Sequence, residues 1–302
     1  MSARPPRGSA GDPAASATTG ARELTWIFAV ALVLRLAALW WLDTPGAAEG
    51  RSAGAWRAGA PTLAGALAQG RGFADPAGGP VGPRPDGPGP SAWLTPVYPA
   101  MVALAMRLGD GVGPATAWWV FGAQALASAL TAALLVRLGE ELGLARAARL
   151  AGWLYALYPI AIWNAIGLVW DTTAVACATT AFFLVLLRSG RSTAGLARSG
   201  LAFGALVFLS PSLVAIAPGI WAWIGLAPRT GAGRARSALA RSTWFTALAL
   251  AVCTPWMVRN HRVLGTWQLR PNLGVELRIG NHDLATGHPQ PFLYHPSHVE
   301  EE

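Results

Sequence analysis

Apolar and polar positions fall in long blocks along this chain. Apolar runs occupy Thr25 to Leu42, Ala115 to Leu138, Leu150 to Ile166, Thr172 to Leu187, Leu201 to Ala227 and Thr243 to Val258, with a shorter run at Pro96 to Leu108. A membrane-crossing helix needs about 20 apolar residues, and in lipid a helix satisfies its own backbone hydrogen bonds. The pattern therefore predicts an all-α polytopic membrane protein. Arg137, Arg146 and Arg149 form one basic cluster between runs, Arg188, Arg191 and Arg198 a second, and Arg229, Arg234, Arg236 and Arg241 a third. The positive-inside rule puts these loops and the N-terminal head in the cytoplasm.

Parity then constrains the rest. Pro96 to Leu108 is too short to span and is expected to lie along the outer interface as a juxtamembrane helix. Leu201 to Ala227 lies between two basic loops and is interrupted by Ser210-Pro211 and Pro218, so it is expected to be two short helices meeting near the outer face. The result is about seven crossings with an extracytoplasmic C-terminus. Residues 1–24 form a disordered cytoplasmic head, 25–258 the transmembrane domain with an external loop at 43–114 carrying juxtamembrane helices, and 259–302 an extracytoplasmic tail. The first run exceeds a signal-peptide core and contains Arg35, which favours a retained span. An arginine within a span points to an internal partner, a wet cavity or snorkelling to the interface.

On this topology the polar chemistry gathers outside. Arg259 and Arg262 follow a span on the side that the positive-inside rule disfavours, which invites an anionic ligand such as a lipid phosphate or ordinary headgroups. Asp171 follows an interfacial-type tryptophan and precedes a run that opens with Thr172 and Thr173. It can act as a helix N-cap, or as a base, metal ligand or substrate anchor. Leu63 to Pro99 reads as a short amphipathic helix, a Gly/Pro-rich turn region and the entry to the interfacial helix. Its GRGF lacks P-loop spacing and context. Trp56 and Trp93 are candidate sugar platforms.

Composition narrows the class. The chain has 302 residues, of which 53% are hydrophobic and 13% charged, and all 23 basic residues are arginine. Arginine with heavy Ala, Gly and Pro use reflects codon bias, so the basic balance does not argue for a nucleic-acid partner. Cys177 and Cys253 lie in apolar runs without metal spacing and read as packing residues. His295, His298 and Glu300 in the tail could hold a divalent ion casually, although their spacing matches no established zinc site.

The segments GRGFADP, PSAWLTPVYPAMVALAMRLG, AGWLYALYPIAIWNAIGLVWDTT and PWMVRNHRVLGTW…RPNLGVELRIGN, in this order, resemble bacterial membrane glycosyltransferases of the GT-C superfamily. The nearest group is the family 39-like proteins, the protein mannosyltransferase and aminoarabinose transferase-like enzymes. The resemblance runs from about Thr25 to the C-terminus. It implies a GT-C-like fold in a bacterial inner (plasma) membrane, with a polyprenyl-phosphate sugar donor, a lipid, glycan or protein acceptor, membrane lipids as surroundings and a possible divalent cation. It also implies a first-loop acid, a second acid at the next outer loop, and cations for the donor phosphate. Asp171 matches the second acid, and Arg259, Asn260, Arg262 and Arg270, with Trp93 and Tyr98, are the implied substrate-binding set.

The chain also departs from that pattern. Where family members usually place the first-loop acid, this sequence has Gly59 within WRAGAPTLAG. Glu49 and Asp43 are the nearest substitutes, and Pro61 is expected to distort the adjoining helix. Relatives usually continue beyond HPSHVEEE, so a fragment, a minimal form or a degenerate copy is expected. The competing class is a lipid-carrier transporter, flippase or accessory membrane protein, since such sites form at paired helix breaks.

Overall fold

The computed structural model describes residues 13–41, 60–75, 89–226 and 234–271, together with 273, 274, 277 and 281. Among the described residues it is helical apart from two short antiparallel strands. In chain order the elements are α1 (Pro13–Trp41), α2 (Ala60–Ala68), β1 (Ala74–Asp75), β2 (Gly89–Pro90), α3 (Val97–Leu108), α4 (Pro114–Glu141) and α5 (Ala145–Leu157). They continue with α6 (Pro159–Ile166), α7 (Thr172–Ser189), α8 (Thr193–Leu209), a 3-10 turn (Pro211–Ile216), α9 (Ala217–Gly225) and α10 (Arg234–Leu264). Ala74 pairs with Pro90, and Asp75 with Gly89.

Helix ends follow local sequence. Pro114 opens α4 where its missing N–H costs nothing. The helix closes when Gly143 turns left-handed, and Leu144 N–H then bonds the Gly139 carbonyl at 2.9 Å. Ser192 caps α8 by accepting from Gly195 N–H at 3.0 Å. Pro61 falls in the first turn of α2, where a proline is tolerated, so the helix forms without the expected distortion.

Three helices, Gly20–Trp41 within α1, Pro114–Glu141 and Thr172–Ser189, are long and apolar enough to cross a membrane. Their exposed faces carry Trp26, Val33, Trp40, Leu126 and Leu130, the outward apolar surface of a membrane protein. This count corrects the expectation of about seven crossings. Leu150 to Ile166 is two helices, because Tyr158 is extended before Pro159. The run at Leu201 breaks at Ser210-Pro211 as expected, leaving α8 at 17 residues and α9 at 9. The bounds of the head and tail shift too. Helix α1 already begins at Pro13, and α10 continues past Val258 to Leu264.

Packing fixes the bundle. Phe182, Phe203 and Phe245 stack in sequence at 5.4 Å between ring centres, joining α7, α8 and α10. A Cβ on Gly200 or Gly204 of α8 would meet the Phe245 or Ala249 carbonyl of α10 at 2.6 or 2.5 Å. The two backbones are thus in direct contact, as small residues four apart allow in membranes. A second cluster joins α3, α4, α6 and the end of α1 through Tyr98, Val102, Phe121, Ile166 and Leu39. It seats α3 firmly on the bundle.

Arg35 is completely buried in α1. Its guanidinium donates to Ser128 Oγ at 2.7 Å and to the carbonyls of Ala31, Ala156 and Tyr155 at 2.9, 3.0 and 3.2 Å. Pro159 has no N–H for the Tyr155 carbonyl, so the break between α5 and α6 leaves acceptors that Arg35 takes up. Of the readings open for Arg35, the internal partner is the one observed.

Candidate functional site

A narrow crevice opens where the α6–α7 turn, the start of α3, the broken end of α8 and the segment after α10 converge. Its walls include Thr95, Tyr98, Trp170, Asp171, Pro211 and Arg270. Each residue arrives there by a local device.

Asp171 stands at the N-cap place of α7, and its carbonyl accepts from Val175 N–H at 2.8 Å. Its side chain makes no capping bond. Burial raises the carboxyl above its ordinary range, and the Arg270 charge and the residue's own backbone N–H only partly oppose that shift. An ionised carboxylate held this way is a stronger proton acceptor than a solvated one.

The turn that carries Asp171 is held by Gln124 of α4, which donates to the carbonyls of Ala165 and Leu168 at 3.1 and 3.0 Å. Tyr98 donates its hydroxyl to Gln124 Oε1 at 2.8 Å. Burial and the Asp171 charge both push the Tyr98 phenol up, so it stays a donor. Gln124 escaped the sequence reading. Its signal was an amide in an otherwise apolar, small-residue stretch, AQALASALTAA.

Arg270 is delivered by a fold-back after α10. Gly265 adopts a left-handed turn, and Asn260, fully buried, donates to the carbonyls of Gln268 and Leu269 at 2.8 and 3.3 Å. Trp256 Nε1 also reaches the Leu269 carbonyl at 3.1 Å, and His261 stacks on Trp267 at 4.2 Å. The Arg270 guanidinium donates from Nε to the Trp93 carbonyl at 2.6 Å and lies 5.6 Å from the centre of the Trp93 ring.

Arg259 is used differently. It donates to the Ser91 and Phe73 carbonyls at 2.7 and 3.0 Å and to Asn260 Oδ1 at 3.0 Å, over the Trp256 ring at 4.7 Å. It staples the hairpin region to the end of α10. Desolvation lowers its pKa from an arginine's usual value, as expected of a cation embedded in neutral acceptors.

Of the expected substrate-binding set, Arg270 and Tyr98 line the crevice, Trp93 supports Arg270, and Asn260 positions the segment bearing it. Arg259 lies among backbone carbonyls and Arg262 is exposed, and neither lines the crevice. Glu49 and Asp43 lie outside the described residues, as do His295, His298 and Glu300. Among the described residues no three His, Cys, Asp or Glu side chains gather as a metal site.

Beside the crevice, sharing Tyr98 with it, runs an apolar groove of about 230 Å³ between α3 and α4. Met101, Leu104, Leu108 and Trp119 form its exposed walls. The site thus combines a carboxylate with raised proton affinity, a guanidinium and a hydrocarbon-lined approach. No family model matches this chain, and no curated protein or solved structure matches it.

Proposed function

We propose that this chain is a membrane glycosyltransferase that moves a sugar from a polyprenyl-phosphate carrier to an acceptor hydroxyl at the extracytoplasmic face. The observation that carries the reading is the pairing of Asp171 with Arg270 in one crevice beside an apolar groove. A soluble sugar donor needs no hydrocarbon groove. A lipid-linked one needs both a groove and a cation for its phosphate.

The chemistry is a single displacement. The Asp171 carboxylate takes the acceptor proton as the acceptor oxygen bonds to the anomeric carbon, and the bond from that carbon to the phosphate oxygen breaks. The electron pair leaves with the phosphate, where Arg270 offsets the growing negative charge in a site shielded from water. Attack opposite the leaving group inverts the anomeric centre. Proton removal of this kind is worth about a hundred- to ten-thousand-fold.

A second reading, lipid-carrier translocation without transfer, is favoured by the unwound Ser210-Pro211 segment at the crevice wall, since transporter sites form at such breaks. Sealed vesicles carrying the chain and a panel of radiolabelled polyprenyl-phosphate sugars separate the two. Label that becomes covalently attached to a new acceptor supports glycosyl transfer. Label that crosses the bilayer still attached to its carrier supports translocation and rejects transfer.

A further inference from the structure

At the opposite end of α7 from Asp171, about 27 Å away by helical rise, the structure holds a second polar-apolar junction. Arg191 lies in the turn between α7 and α8, with its guanidinium carbon 4.3 Å over the Trp223 ring of α9. Its Nε is buried and, among the described residues, has no hydrogen-bond partner. A buried N–H on a cation is costly to leave unpaired.

Trp223 is also a wall of an apolar groove of about 470 Å³ between α7 and the segment from Ala215 to Trp223. Phe183, Leu186, Ile216 and Ile220 form its other walls. Ile216 and Trp223 are about 10 Å apart along the axis at helical rise, enough to hold part of an acyl chain. The neighbouring Arg188 is already engaged, donating to Glu141 at 2.6 Å. The groove therefore has hydrocarbon walls along its length and one cation with an unmet donor at its end.

We propose that Arg191 and the α7–α9 groove bind one anionic phospholipid, with its phosphate on Arg191 and an acyl chain against Ile216, Ile220 and Phe183. An amphiphile fits because a free anion leaves the groove unfilled, and a neutral hydrocarbon leaves Arg191 Nε unpaired.

The test is native mass spectrometry of the purified full chain titrated with palmitoyl-oleoyl phosphatidylglycerol or phosphatidylcholine. The wild type is expected to bind the anionic lipid at least about fivefold more tightly, the scale of one interfacial arginine. Arg191→Gln is expected to abolish that preference. Ile220→Trp, which fills the groove and keeps the charge, is expected to weaken both lipids. Should Arg191→Gln not fold, the wild type still decides, because its preference must shrink as ammonium acetate concentration rises. Equal binding of the two lipids by wild type, an unchanged preference in Arg191→Gln, or full displacement by glycerol 3-phosphate at concentrations comparable to the lipid each overturns the proposal.

Discussion

Replacing Arg35 with methionine keeps much of the side-chain volume but removes every donor. The two carbonyls at the helix break, Tyr155 and Ala156, then lose their charged partner, and Ser128 loses its acceptor role. Hydrogen bonds across membrane helices average about 0.6 kcal/mol in double-mutant cycles, while a buried carbonyl left unsatisfied costs about 1–3 kcal/mol. Three interhelical bonds at the lower value give about 2 kcal/mol, and one orphaned carbonyl, that of Ala156, at the upper value gives about 3 kcal/mol, since Tyr155 still accepts from Tyr158 N–H. Relief of burying a cation that has no carboxylate partner offsets part of this, so a loss of about 1–3 kcal/mol is expected. Arg35→Lys should recover only part, because one ammonium cannot reproduce the fork that serves α4 and the α5–α6 break together. Equilibrium unfolding in detergent micelles measures the loss. An Arg35→Met protein as stable as wild type would refute the reasoning that this arginine closes the break at Pro159.

Gly204→Leu should separate α8 from α10, because its Cβ would meet the Ala249 carbonyl at 2.5 Å; a loss of folded protein on size-exclusion chromatography is expected, whereas Gly219→Leu, facing open space, should be tolerated. Arg259→Gln should lower thermal stability by about 1–3 kcal/mol by freeing the Ser91 carbonyl, while Phe73 still accepts from Ser91 N–H, and it should reduce transfer only in proportion to folded protein. Asp171→Asn should behave in the opposite way. Its carboxyl is raised by burial, so its protonated form stabilises the fold fully below the unfolded value near 4, and that contribution is lost as pH rises through the raised folded value. At pH 7 the ionised group costs stability, and the neutral amide should raise the melting temperature there but confer no gain near pH 3.5. The same shift predicts that transfer falls on acidification at a pH above the ordinary carboxylate range.

Much of this arrangement was legible in the sequence, and the limits have physical causes. Proline marked the break at Ser210-Pro211, whereas the one at Tyr158-Pro159, inside the run Leu150 to Ile166, went unread, and the short apolar run at Pro96 to Leu108 gave a separate helix. Asp171 was recognisable as an acid at the start of an apolar run, whereas Tyr98 and Arg270 were singled out only through the family resemblance. What sequence could not show was which arginine faced the acid. Arg259 finds its acceptors on Ser91 and Phe73, 168 and 186 residues earlier in the chain, and backbone carbonyls carry no residue-specific signature. Gln124 was hidden for a similar reason, since its partners are also main-chain carbonyls, beside Asp171 rather than within its own helix. The number of crossings was overestimated in part because the hydropathy of Leu150 to Ile166 sums across the break at Tyr158-Pro159, which leaves two helices of 13 and 8 residues.

The most direct test of the account is the rate of sugar transfer from a radiolabelled polyprenyl-phosphate donor by Asp171→Asn and Arg270→Gln, each compared with Arg262→Gln in folded, membrane-inserted protein. The account predicts a fall of at least about a hundredfold for Asp171→Asn, a large fall for Arg270→Gln, and near wild-type transfer for Arg262→Gln. Wild-type transfer that survives Asp171→Asn unchanged would contradict it.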